Sequence, residues 1–81
     1  MSMLRVLSSE GDTRYEWNQA EVEAGDAEAE AAVREAERIF KAARRNGGTA
    51  FSVTQGQAPV RIDRFDKTAE QIILVPRIVG G

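Results

Sequence analysis

A single apolar stripe decides most of what this chain can fold into. Ala29, Ala32, Val33, Ala36, Ile39, Phe40 and Ala43 recur at the spacing of one face of an α-helix. Asp26 is placed as the N-cap of that helix. Glu28 and Glu30 lie at the positive end of its dipole, and Lys41, Arg44 and Arg45 at the negative end. Glu30–Arg34 and Glu37–Lys41 are favourably ordered i,i+4 pairs. Asn46-Gly47-Gly48 stops the helix, because glycine takes the left-handed conformation past a helix end at little cost. No second stripe of this kind is present, so the rest of the chain must supply a flat surface against which one helix buries its face.

The flanking segments read as strands. Met3 to Leu7 and Thr13 to Trp17 enclose Ser8-Ser9-Glu10-Gly11-Asp12, small polar turn residues with a glycine, and predict a hairpin. Thr13, Tyr15 and Trp17 share one face of the second strand, where packing is the expected role of Trp17. Residues 18–25 are acidic and aperiodic, and read as a connection. Past the helix, Thr49 to Val53 alternates as a strand, Gln55-Gly56-Gln57-Ala58-Pro59 is a loop, and Val60 to Phe65 a further short strand. Asp66 to Glu70 is a polar connection into Gln71 to Val75, which is apolar on both faces, as a central strand requires. Pro76 has no N–H for a ladder, so pairing should end there. The predicted order is ββαβββ: an α+β domain over residues 1–76, with a mixed sheet, one amphipathic helix on one face, and a flexible projecting tail over residues 77–81.

Eighty-one residues make one domain. The chain has neither Cys nor His, which removes thiolate nucleophiles, disulfides, imidazole bases and almost every zinc or copper site. No nucleophile–base pair or phosphate loop is apparent, and Asp63 and Asp66 match no calcium-loop spacing. The expectation is a protein that is not an enzyme and holds no metal or bound cofactor. Charge is divided unevenly: residues 1–37 carry ten Asp/Glu against three Lys/Arg, and residues 38–81 carry eight Lys/Arg against three Asp/Glu. The only Trp and the only Tyr fall in the acidic half, so basic residues interleaved with stacking aromatics are lacking and no nucleic-acid partner is expected. The longest apolar run, Ile72 to Pro76, is too short to span a membrane, and no secretory leader is visible at Met1 to Arg5, which predicts a soluble, cytoplasmic protein without a membrane partner.

The order of elements, closing on Glu70-Gln71-Ile72-Ile73-Leu74-Val75-Pro76-Arg77-Ile78-Val79-Gly80-Gly81, resembles the β-grasp fold of ubiquitin-like proteins. It is similar both to prokaryotic ubiquitin-like modifiers and to the sulfur carriers typified by the small subunit of molybdopterin synthase and the thiamine-pathway carrier. The motif covers only this last stretch. It departs from many carriers in having Arg77 where they have a second Pro, and a basic residue before Gly-Gly is similar to ubiquitin and its modifier relatives. The resemblance implies that the reacting group is the carboxylate of Gly81, next to Gly80. An adenylating, ubiquitin-activating-type enzyme would activate it with ATP. It would then be passed to a target protein amine, giving an isopeptide bond, or to sulfur as a thiocarboxylate for a sulfur-accepting enzyme. A deconjugating metalloprotease is a further implied partner. Residues without Cβ suit a tail that must enter a narrow active site. Arg77, Ile78 and Val79 are the expected partner-binding positions, with Arg61 and Arg64 as further cations for an acidic partner. A non-covalent adaptor that offers an edge strand is the remaining alternative.

Overall fold

The computed structural model describes residues 1–8 and 11–77. In chain order these form β1 (Ser2–Ser8), β2 (Gly11–Trp17), α1 (Gln19–Glu23), α2 (Ala27–Arg45), β3 (Thr49–Val53), β4 (Val60–Ile62) and β5 (Gln71–Val75). The apolar stripe becomes α2. Asp26 Oδ1 accepts from the Ala29 amide at 3.0 Å, and Ala29, Ala36 and Phe40 are buried along the inner face. Gly47 follows the Asn46 cap with φ of 91°, the left-handed region that a Cβ disfavours. Of the two expected i,i+4 pairs, only Glu37–Lys41 forms among the described residues, at 3.5 Å. Glu35 and Arg38 make an i,i+3 pair at 2.6 Å.

Two expectations need correction. Residues 18–25 are not an irregular connection, because they contain α1. Five residues offer too few apolar positions for a period to be legible, and only Val22 packs against the core. What holds α1 is polar: Asn18 Oδ1 accepts from the Glu21 amide at 3.1 Å, and Gln19 Nε2 donates to Ser2 Oγ and to the Thr68 carbonyl. The strand expected over Val60 to Phe65 ends at Ile62. Phe65 leaves the sheet and sets its ring between Trp17 and Phe40, with centroids 5.6 and 5.7 Å away. The hairpin forms as expected, with Ser8 opposite Gly11, and the Ser9 and Glu10 of the predicted turn lie outside the described residues.

The fold is α+β, with one five-stranded mixed sheet in the order β2-β1-β5-β3-β4. β1 and β5 run parallel, with Leu4 opposite Ile72 and Val6 opposite Leu74, and every other pairing is antiparallel. Residues of one parity, Leu4, Trp17, Ala50, Ile72 and Leu74, face α2 and make the core with Ala36 and Phe40. Trp17 Nε1 donates to the Lys67 carbonyl at 2.9 Å, so the indole N–H is satisfied where it is buried. The other parity faces away from α2. One row across that open face reads Arg14, Arg5, Ile73, Phe51, Arg61.

Arg5 and Arg14 stand directly opposite each other, an arrangement that repels unless a counter-charge intervenes. Asp12 intervenes. Arg5 reaches its Oδ2 through Nε at 3.0 Å and Nη2 at 2.8 Å, and Arg14 through Nε at 3.3 Å. These contacts, that from Arg5 foremost, hold the Asp12 carboxyl below its ordinary value. A carboxyl whose pKa is lower in the folded state stabilises above the unfolded pKa, and its contribution is lost as pH falls through the folded value. Asp12→Asn should therefore lower the urea midpoint at neutral pH. The gap from the parent protein should close as pH falls below the ordinary carboxylate range, where the parent has lost the same charge. A gap that stays constant with pH would contradict an ionic origin.

Candidate functional site

The residues singled out by the sequence follow β5, so the site is built from the place where that strand ends. β5 lies between β1 and β3, and its last pair joins Val75 to Thr49. Pro76 comes next and cannot extend the ladder. Of the expected site residues, Arg77 is described, whereas Ile78, Val79, Gly80 and Gly81 lie outside the described residues.

The root of the tail rests on the C-terminal end of α2. A Cβ on Gly48 would stand 2.9 Å from the Ala43 carbonyl oxygen and 3.2 Å from that of Val75, so helix end and strand end meet through bare backbone. The Gly48 amide donates to Ala43 O at 2.8 Å, and its own carbonyl accepts from Arg44 Nη1 at 2.7 Å. Beside it the stem of Arg77 lies over Gly47, where an added Cβ would come 2.9 Å from Arg77 Cδ. Arg77 is exposed, yet its stem is seated at the negative end of the helix dipole.

The other expected cations are not gathered on one surface. Arg61 lies on β4 opposite Phe51, on the open face of the sheet. Arg64 follows β4 and borders a groove at the end of α2 together with Arg44, Arg45 and Asp63. Two features escaped the sequence reading. Gly47-Gly48 registers as a helix stop, although one glycine suffices for that and the second serves the contact with Val75. Arg44 registers as a dipole-matching cation, but it ties Gly48 to Asp63, donating through Nη2 at 2.8 Å to the latter. The doubled glycine was the one available signal.

Among the described residues, no group of three or more acidic side chains is arranged to hold a metal ion, and no helix is long and apolar enough to cross a membrane. The chain matches no protein-family model, no curated protein and no solved structure. What this site does must therefore be argued from its own residues. Its described part is a central strand that ends before a proline and is seated on a helix terminus.

The two glycines should separate on mutation. Gly47→Ala should cost roughly 1–2 kcal/mol from the left-handed backbone, with a further loss from the clash with Arg77. Adding Arg77→Ala should recover only the latter. Gly48→Ala meets backbone oxygens that cannot rotate away, so Arg77→Ala should recover nothing there. Urea unfolding of these four variants and of Arg77→Ala alone measures both couplings.

Proposed function

We propose that this chain is a small ubiquitin-like carrier whose C-terminal glycine carboxylate is adenylated by a partner enzyme and transferred to an amine of a target protein. The observation that carries the reading is the strand–tail junction. The first and last strands pair in parallel at the centre of the sheet, and the last one leads through Val75-Pro76-Arg77 towards Ile78-Val79-Gly80-Gly81. A hairpin, a long helix and three further strands closed by that pairing also support a β-grasp-like assignment within the α+β class. The rigid part supplies the recognition surface, and the tail supplies the reacting group. The catalysis belongs to the partner. There the carboxylate oxygen attacks the α-phosphorus of ATP and diphosphate leaves. An amine then attacks the acyl carbon, loses a proton and displaces AMP.

The apolar strand followed by Pro76 favours a second reading, a sulfur carrier. In it a hydrosulfide ion rather than an amine attacks the acyl carbon, loses its proton and displaces AMP, leaving a thiocarboxylate at Gly81. Arg77, which is similar to the basic residue of the modifiers, favours the first.

Denaturing intact-mass analysis of N-terminally tagged protein from its own cells distinguishes them. The modifier reading expects covalent adducts joined by an amide at Gly81. The sulfur reading expects a free chain with one carboxylate oxygen replaced by sulfur. Lysine is scarce, with Lys41 and Lys67 against nine Arg, so adducts should carry one copy and not regular ladders. Deleting Gly80-Gly81 should abolish either modification, and the unfolding midpoint of the shortened chain verifies that it remains folded. A chain that stays unmodified under every growth condition would leave the non-covalent adaptor.

A further inference from the structure

The end of the molecule that carries the tail root also gathers unpaired positive charge. Between the last turns of α2 and the segment after β4 lies an open groove of about 510 Å³, lined by Phe40 and Phe65, by four cations of which Arg45 and Arg64 are two, and by the carboxylates Glu37 and Asp63, which are held by Lys41 and Arg44. Among the described residues the ion pairs engage Arg5, Arg14, Arg38, Lys41 and Arg44, while Arg45 and Arg64 are exposed and enter none.

Arg44 adds a donor edge that is only partly used. Its Nη1 and Nη2 are taken by Gly48 O and Asp63 Oδ1, but its Nε is buried and has no acceptor. Arg5 and Arg38 show how that edge is used elsewhere in the molecule: each sets Nε and Nη2 together on one carboxylate, Asp12 or Glu35. Arg44 has only half of this arrangement. The carboxylate that it does hold, Asp63, has a side chain that is 79% exposed. A carboxylate entering side-on in place of Asp63 would satisfy both donors, the stronger geometry for an arginine.

We infer that this groove seats an acidic segment of the partner protein. Apolar side chains of that segment cover the half-buried ring of Phe65, and its carboxylates meet Arg45, Arg64 and the Nε–Nη2 edge of Arg44. Protein fits this groove better than nucleic acid: Phe65 is engaged by both Trp17 and Phe40, and neither ring of the groove stands free as a platform for a base. That the partner is the activating enzyme rests on the carrier reading, since the groove adjoins the helix end over which Arg77 is packed; the docking itself does not need Gly81.

Heteronuclear NMR titration with a peptide alternating Glu and Leu, and with its Lys-for-Glu counterpart, tests this on the full chain. The acidic peptide should shift the amides of Lys41, Arg45, Asp63, Arg64 and Phe65, and the basic one should not. Arg45→Glu with Arg64→Glu should weaken binding roughly tenfold. Asp63→Asn should tighten it several-fold by removing the internal competitor, a gain that a merely structural Asp63 would not give. All three side chains are exposed, and unchanged shifts elsewhere verify the fold. Weaker or equal binding by Asp63→Asn, shifts confined to the Phe51 and Ile73 face, or tighter binding of a single-stranded DNA oligonucleotide than of the peptide would each overturn the inference. Repeating the titration on the chain lacking Gly80-Gly81 separates the two proposals. Retained binding without cellular adducts removes the carrier reading alone, and adducts with a silent groove remove the docking site alone.

Discussion

The parallel pairing of β1 with β5 is the constraint on which the rest of the molecule depends. It joins residues near the start of the chain, Leu4 and Val6, to residues near its end, Ile72 and Leu74, and it places both strands in the interior of the sheet. Everything between must return across the same face, which is why a single helix suffices to cover the core. Such a contact is of the longest range the chain can make, so loop-closure entropy opposes it until α2 and the β3 pairing are in place. Three polar ties close the circuit at one end of the sheet: Trp17 to Lys67, Gln19 to Ser2, and Gln19 to Thr68. They anchor the connection leading into β5 to the hairpin and to α1.

That constraint has a consequence for the tail. A strand at the sheet edge frays, whereas β5 is paired on both sides through Leu74 and with β3 as far as Val75. The direction of the chain on leaving the domain is therefore set by the most thoroughly paired strand and by the backbone contact of Gly48 with Val75. A protein that presents its terminus to another enzyme needs this stiffness up to the last turn and freedom beyond it. Proline provides the boundary without a cap or a bulge.

The helix and the strands were legible because each carries a period. The Ala29-to-Ala43 stripe repeats over four turns, and Gln71 to Val75 is unmistakably apolar. The elements that were not legible are those held by side-chain hydrogen bonds. α1 has one core residue, Val22, and beyond its short-range Asn18 cap it depends on the amide group of Gln19, whose partners Ser2 and Thr68 are distant in sequence. Phe65 looked like the continuation of a strand, because nothing local reveals that two other aromatic rings await it. The seat of Arg77 over Gly47 was illegible for the same reason. The spacing of residues 44, 63 and 77 means nothing until the fold brings them to one end.

The basic end of the molecule bears on how a partner is met. Attraction between exposed charges is largely screened beyond the Debye length of about 8 Å at physiological salt, so Arg45 and Arg64 act chiefly on whatever surface touches the domain itself. The positive charge also lies where the helix dipole is negative, so part of it neutralises α2 from within. Arg44 serves that internal purpose through Gly48. Arg45 and Arg64, which bind no carboxylate among the described residues, retain a net field that an acidic surface can meet at close range.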